Sequence, residues 1–332
     1  MPVNDKIASE QHSRYVYARD NGHTKFVETS RKCREFFFGK QWKDTDLAAL
    51  EQFRRPALTI NKIKSTISTV LGEQISNRSE ISFRPRGGTR NADLADVLSK
   101  VFKQISDNTQ LPWVRSDVFF DGLVSSRGYF DVRLNYTDSA LGEVTIDHLD
   151  PESVVLNPDD FAYDPARWSE VFISRWYTPD DIEVLYNKAD ADKLRSRDGS
   201  ALEYGFDSIV EAQRESSFAG SANRTSTYGA TDQENDTHTI RSVRVIDRQY
   251  RKLRKVAHFV DPTTGDQRRV PESWDRERIV AVREAHKLEV VDKLIRAIRW
   301  TVTADDLVLF DEWSPYNHLT VVPYFPYFLH GR

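Results

Sequence analysis

The spacing of hydrophobic residues changes once along the chain, at Gly128. Before this point apolar residues recur at helical spacing, as in NADLADVLSKVFKQISDN. After it, YFDVRLNY, EVTIDHLD and SEVFISRWY alternate between apolar and polar residues, which is typical of half-buried strands. The first two of these strands predict a hairpin. The sequence therefore predicts an α+β protein that is helical at first and largely β afterwards.

One early segment, LTINKIKSTISTVLGEQISNRSEISFRP, predicts an amphipathic helix that runs into a short extended piece ending at Pro85. Asn61 is placed to cap this helix. Its apolar face holds Ile63, Ile67, Val70, Leu71 and Ile75, and its opposite face holds Ser65, Ser68, Thr69 and Glu73. The segment has no nucleophile, metal ligand or phosphate-binding loop, so it predicts a packing role.

Further elements are marked by local signals. Pro112 near the start of LPWVRSDVFFDGLVSSRG favours a helix there, and Thr178 followed by Pro179 is a strong helix start. The segment DRERIVAVREAHKLEVV predicts another helix, and LIRAIRWTVTADDLVLFDEW predicts a hairpin around TADD.

A polar segment, residues 216–239, has almost no aliphatic side chains and is rich in Ser, Thr, Asn and Gly. This composition predicts a flexible loop or linker, and hence a boundary between residues 1–239 and residues 240–332. Charge is segregated across it. Residues 241–300 hold sixteen Lys/Arg against nine Asp/Glu, a net of +7, which leaves −11 for the rest of a chain whose total is −4.

Catalytic signatures are absent: GxxxxGK[ST], GxGxxG, HExxH and GxSxG do not occur. The one cysteine, Cys33, excludes an intrachain disulfide and a Cys-based zinc site, and we expect it to be a small packing residue. No apolar run is long enough to cross a membrane. The densest acidic cluster comprises Asp147, Asp150, Glu152, Asp159, Asp160 and Asp164. Its Asp/Asn-Pro steps favour turns over a metal site. We therefore expect no catalytic residue, cofactor or metal.

The basic run RQYRKLRKVAH offers a surface for phosphates or for an acidic protein. The candidate partner- or DNA-facing residues are Arg241, Arg244, Arg248, Arg251, Lys252, Arg254 and Lys255. Strand alternation places basic residues on both faces, whereas a simple amphipathic strand would carry them on one.

The order of these segments resembles that of the portal proteins of short-tailed phages. The matching pieces are FFFGKQW, then RPALTINKIKSTISTVLGEQISNRSEISFRP, then GYFDVRLNY, LGEVTIDHLDPESVVLNP and AYDPARWSEVFISRWYTPDDI, and finally VRVIDRQYRK and VVPYF. They cover most of the chain, from about Phe36 to Phe325. None is a catalytic signature, so the resemblance depends on their order.

The resemblance implies a structural, non-enzymatic protein of the virion. It would form a dodecameric ring at the unique capsid vertex, through which double-stranded DNA enters during packaging and leaves during ejection. Implied partners are the large terminase subunit, a tail connector protein, and capsid and scaffolding proteins, with assembly in the host cytoplasm. Residues 1–239 would be the wing, and residues 240–332 would lie toward the stem and clip. Because the chain ends on the apolar run TVVPYFPYFLHGR, we expect it to be the N-terminal part of a longer subunit.

In such a ring, we expect the apolar face of the Asn61-capped helix to bind its own domain, and Ser65, Ser68 and Thr69 to lie against a neighbouring subunit. Two alternatives remain open at this point. One is a metal-dependent nuclease that uses the acidic cluster, and the other is a DNA-binding scaffold without a ring.

Overall fold

A computed structural model describes residues 3–85, 92–136, 142–160, 162–195, 243–262, 265–271 and 274–327. The helices are α1 (Val3–Ala18), α2 (Thr24–Phe37), α3 (Asp44–Gln52), α4 (Lys62–Ser76), α5 (Ala92–Asn108), α6 (Leu111–Ser125), α7 (Pro179–Leu185), α8 (Lys188–Arg195) and α9 (Arg276–His286). The strands are β1 (Gly128–Asn135), β2 (Glu143–Leu149), β3 (Val154–Leu156), β4 (Glu170–Tyr177), β5 (Val243–Val260), β6 (Gln267–Arg269), β7 (Glu289–Ala304), β8 (Leu307–Trp313) and β9 (Val321–Tyr324). The predicted linker, residues 216–239, lies outside the described residues.

Two antiparallel sheets organise the fold. One has the order β2-β1-β9, and the other has the order β3-β4-β5-β7-β8 with β6 added beside β5. Strand β9 pairs with β1, and β5 pairs with β4, so strands from both sides of residue 239 share each sheet. Segments from before and after residue 239 are therefore interleaved in both sheets, and the division into a wing-like and a stem-like segment stays a prediction.

Helix α1 covers the larger sheet. Tyr15 packs edge-to-face against Phe172 of β4, with 6.0 Å between the ring centroids, and both side chains are buried. The buried amide of Gln11 donates to the backbone oxygen of Ile246 at 2.7 Å and to Thr303 Oγ1 at 3.0 Å. These bonds fix the helix to β5 and β7, because a buried amide without partners would cost free energy.

Helix α6 lies against the smaller sheet, and two glycines permit the close approach. A Cβ at Gly128 would stand 2.4 Å from the backbone oxygen of Val118. A Cβ at Gly122 would stand 2.6 Å from the ring of Tyr324. The change of hydrophobic period at Gly128 is thus also the point where a strand starts directly beneath a helix.

Several elements match the sequence predictions. The hairpins β1–β2 and β7–β8 are confirmed, the second turning at Asp305, and so are the helices α5, α6, α7 and α9. Asn61 Oδ1 accepts from the Lys64 amide at 3.0 Å and caps α4. Thr178 forms a capping box with Asp181.

The piece that ends at Pro85 pairs with no described strand; its Phe83 amide donates to Ser99 Oγ of α5 at 3.0 Å and the Phe83 ring packs on Phe102. One local expectation was wrong. Cys33 is exposed and is not a packing residue.

The apolar face of α4 packs within its own chain only along its centre. Helix α4 contacts α6 and α2, and Ile67 and Leu71 are half-buried. Ile63, Val70 and Ile75, at the edges of the same face, are each 40–42% exposed. No residue of α4 is fully buried, so its apolar face binds its own domain only in part.

Candidate partner-binding surface

A long two-stranded extension carries most of the predicted basic residues. Pairing of β5 with β4 ends at Tyr250, whereas pairing with β7 continues from Arg251↔Ile298 to Val260↔Glu289. We call residues 251–260 and 289–298 the arm. Beyond Tyr250, β5 therefore has only β7 and the short β6 as neighbours among the described strands.

Two of the predicted partner-facing residues lie inside the chain. Arg248 is 5% exposed and donates from Nη2 to Glu170 Oε2 at 2.6 Å. Arg244 is 3% exposed, donates to the Tyr15 hydroxyl at 2.6 Å and lies 4.8 Å from the centroid of the Trp176 ring. A buried guanidinium needs such partners, and these residues have them within the chain. They are therefore not part of an exposed basic surface.

Two further arginines hold the base of the arm in place. Arg251 donates to the backbone oxygens of Trp168 at 2.9 Å and Pro165 at 3.3 Å. The Arg254 guanidinium lies 4.7 Å from the centroid of the Trp313 ring. Both side chains are half-buried, so their main contacts are structural. Arg241 lies outside the described residues.

An ion pair next to the base of the arm joins β7 to β8. Arg299 donates from Nε to Asp311 Oδ1 at 2.8 Å and from Nη2 to Oδ2 at 2.7 Å. Burial would raise the pKa of Asp311, but the hydrogen bonds from Arg299 and Thr301, together with the charges of Arg299 and Lys252, lower it overall. Asp311 therefore stays charged and anchors the arm at neutral pH.

Lys252 and Lys255 are exposed on the arm, on opposite faces of the ribbon because side chains alternate along a strand. The register pairs Leu253 with Arg296 and Lys255 with Leu294, which places these four side chains on one face. Leu253 is 62% exposed and Leu294 is 59% exposed. We call these four residues the arm patch, in which each leucine lies directly opposite a cation.

The hydroxyls predicted to contact a neighbouring subunit are exposed. Thr69 Oγ1 donates to the backbone oxygen of Ser65 one turn earlier, at 3.0 Å. Ser65 and Ser68 lie on the same solvent-facing side of α4. This face is therefore available to a partner and requires none to satisfy the Thr69 hydroxyl.

The acidic cluster is divided among local structural roles. Glu152 accepts from Arg31 at 3.0 Å, and Asp150 accepts from Arg34 at 3.3 Å. Asp160 accepts from Ser169, and Asp164 caps a short 3-10 turn. Among the described residues, no group of three His, Cys, Asp or Glu side chains is arranged to hold a metal ion.

No described helix is long and apolar enough to cross a membrane.

Comparison with known proteins decides the family. The model of the family described as Phage P22-like portal protein matches residues 12–332.

The chain belongs to the P22-like portal protein family.

A curated relative, the "Portal protein" of Acyrthosiphon pisum secondary endosymbiont phage 1, is 27% identical over 193 residues. The match covers 55% of this portal chain and 24% of that relative. The chain therefore spans about a quarter of the length of the curated relative it matches.

The arm patch is the part of this portal chain that sequence analysis missed. The basic run on β5 predicted Lys255, but Arg296 and Leu294 come from β7, some forty residues later in the chain. Only the pairing register brings them beside Leu253. Alternation within β7 does place Leu294 and Arg296 on one face, and that signal was available in the sequence.

Proposed function

We propose that the chain is a subunit of a ring at the unique capsid vertex of a phage virion, where double-stranded DNA passes during packaging and ejection. The family match over residues 12–332 carries this proposal. A closed ring of one chain requires a heterologous interface, in which different surfaces of two neighbours meet. The ring is a structural component, and motor activity belongs to a separate terminase subunit. Capsid and scaffolding proteins contact the ring during assembly in the host cytoplasm.

The arm patch is proposed to be a docking surface for a protein, either the large terminase subunit or a tail connector. Phosphate binding needs cations alone, whereas this patch exposes two leucines as well as two cations. Protein interfaces combine apolar groups with charged ones. The partner surface that fits carries both acidic and apolar groups. Lys252 on the other face, beside half-buried Arg254, is a second proposed contact.

The exposed hydroxyl face of α4 is proposed to lie against the neighbouring subunit. Ser65, Ser68 and Thr69 are short enough to permit close approach of another backbone. Replacing Ser68 and Thr69 with arginine is expected to reduce the fraction of protein in rings, measured by native mass spectrometry. Unchanged rings from that double variant would remove α4 from the interface.

Negative-stain electron microscopy of the full-length gene product, paired with its native mass, tests the proposed ring. We expect particles with a central hole and a mass that is an integer multiple of one subunit, near twelve copies as the resemblance implies. A discrete small oligomer without a hole, at high protein concentration, would overturn the proposal.

A further inference from the structure

One edge of the arm is uncovered along most of β7. Strand β8 pairs with β7 only from Arg299 onward, and the Ser314 amide donates to the Ile298 oxygen at 2.9 Å. Residues 289–297 of β7 have β5 on their inner side and no described strand on their outer side. Most of these residues are exposed, so the described part of the chain leaves the stretch open to solvent.

The bond at Ile298 shows which backbone groups face this outer edge. In an antiparallel strand the N–H and C=O of one residue point to the same side, and successive residues point to opposite sides. Because the Ile298 oxygen points away from β5, the groups of every second residue before it do so too. These residues are Val290, Asp292, Leu294 and Arg296. Their outward amides and carbonyl oxygens have no backbone partner among the described residues.

The opposite edge of the arm, along β5, is closed at both ends. The Arg251 amide donates to the Ser169 oxygen at 2.9 Å, and the Ala257 oxygen accepts from the Val270 amide at 3.0 Å. Only two residues with outward-facing groups lie between these bonds. That gap is too short for a strand, whereas residues 290–296 of β7 match the usual length of one.

An unpaired edge of this length selects an extended chain as its partner. An extended backbone presents donors and acceptors at the spacing of a strand, which is how peptides add to exposed sheet edges. Strand β8 already fills the same edge from Arg299 onward, so an added strand would continue the sheet in line with β8. On the face of the arm patch, its side chains would lie beside Leu294 and Arg296, where an apolar and an acidic residue fit.

The charge of the arm disfavours a second arm as that partner. Residues 251–260 and 289–298 hold six Lys/Arg and two Asp/Glu, a net of +4. The two acidic residues, Glu289 and Asp292, both lie toward the end of the arm that is farther from β4. Like charges on neighbouring strands are destabilising, so two arms placed edge to edge would repel each other. A separate protein with an acidic extended segment meets no such repulsion.

We propose that residues 290–296 of β7 receive an extended segment of the docking protein as an added strand of the larger sheet. The segment carries acidic and apolar side chains. This inference rests on the proposed docking role of the arm, and it assigns the contact to backbone hydrogen bonds as well as to the arm patch. The backbone bonds supply affinity, and the side chains beside Leu294 and Arg296 supply specificity.

Proline at an outward-facing residue tests the edge without breaking the arm. D292P removes one outward N–H and leaves the bonds between β5 and β7 in place, since an edge strand tolerates proline where the N–H faces solvent. D292A is the matched comparison, because it removes the same carboxylate and keeps the N–H. Full-length D292P rings should bind purified terminase large subunit or tail connector at least tenfold more weakly than D292A rings do, measured by biolayer interferometry.

Proline at the next residue checks the orientation of the backbone. The Lys293 N–H faces β5, so K293P removes a bond inside the arm and should lower the melting temperature. D292P should change the melting temperature by no more than about 2 °C. Equal losses of stability in K293P and D292P would show that the outward residues are wrongly assigned, which would overturn the proposal.

Hydrogen exchange identifies what covers the edge. In wild-type rings alone, the outward amides of residues 290–296 should exchange fast, and they should become protected when the docking protein is added. Protection in the rings alone would show that the same chain or a neighbouring subunit already fills the edge, and would overturn this inference.

The inference and the proposed docking role fail in different ways. D292P rings that bind both proteins as tightly as D292A rings do would overturn the added strand and leave the docking role of the arm patch standing. Wild-type rings that bind neither protein would overturn the docking role, and the added strand with it.

Discussion

Arg133 connects the two sheets through buried charges. From β1 it donates to Asp131 Oδ1 at 2.8 Å and to Asp247 Oδ2 of β5 at 2.9 Å, and its guanidinium lies 5.0 Å from the centroid of the Trp300 ring. The side chains of Asp131 and Asp247 are only 4% and 10% exposed. Burial would lower the pKa of Arg133, but the charges of Asp247 and Asp131 raise it overall. Arg133 therefore stays charged.

Replacing Arg133 with Met should lower the free energy of unfolding by about 3 kcal/mol, because it leaves two buried carboxylates without their shared partner. Urea denaturation followed by circular dichroism measures this. The matched control is R175M. Arg175 is 36% exposed and also contacts Asp131, at 3.1 Å, so its loss should cost about 1 kcal/mol or less. Equal losses in the two variants would contradict a connecting role for Arg133.

His148 is expected to give the fold a pH dependence. Its Nε2 lies 2.5 Å from Asp121 Oδ2 on α6, and Arg34 shares that carboxylate at 3.4 Å. Burial would lower the pKa of His148, but the hydrogen bond and charge of Asp121, with Asp117 and Asp150, raise it overall above its ordinary 6.5. The stabilisation is thus fully present below the ordinary pKa and is lost as pH rises through the folded-state value.

H148Q should accordingly lower the melting temperature at about pH 5.5 and have a smaller effect at about pH 9. Differential scanning fluorimetry across that range is the measurement. H286Q, at an exposed position of α9, is the control and should show no such trend. A melting-temperature difference that is constant with pH would exclude charge on His148 as the cause.

At the scale of elements, local signals predicted what local physics determines. Helical spacing, Asn61 and Thr178 as caps, and alternation in β5 predicted the helices and strands because each depends on a few neighbouring residues. Pairing of β1 with β9 was not predicted, because register between distant strands leaves no mark in either segment alone. A sequence pattern likewise cannot distinguish an apolar stripe that packs inside the chain from one that faces outward, such as Leu94, Val97 and Val101 of α5. Arg244 and Arg248 were wrongly predicted to face a partner, because a sequence pattern cannot distinguish an exposed basic residue on a strand from one that is paired inside the chain.

Alanine substitutions at Gly128 and at Gly72 should have opposite effects on the free energy of unfolding. At Gly128 the new methyl would stand 2.4 Å from a backbone oxygen, so helix and strand must separate, which should cost about 2 kcal/mol. At Gly72 in α4 no atom lies within 4 Å, so alanine should stabilise by about 0.5–1 kcal/mol through helix propensity. Melting temperatures should move in opposite directions. A neutral G128A would contradict the close approach.

At the scale of the whole molecule, two regions of the chain are proposed to bind different partners. The exposed hydroxyl face of α4 lies in the helical part of the chain, where the proposed partner is the next subunit. The exposed cations and leucines of the arm lie in residues 241–300, which carry a net charge of +7 and whose partner is proposed to be a separate protein. Damage to one region should therefore leave the activity of the other intact.

Charge reversal on the arm patch tests that separation. K255E with R296E, in the full-length protein, should leave rings unchanged and reduce binding of rings to purified terminase large subunit or tail connector at least tenfold, measured by biolayer interferometry. Because the proposed contact is partly electrostatic, wild-type binding should weaken as salt rises from about 0.05 to 0.5 M, and the variant should lose most of that dependence. K287E, an exposed cation outside the patch, is the matched control and should bind nearly as the wild type does. Lost rings with unaffected docking would mean that the patch belongs to the contact between subunits. Full-strength docking of both proteins to K255E/R296E rings would remove the arm patch from the portal's binding surface.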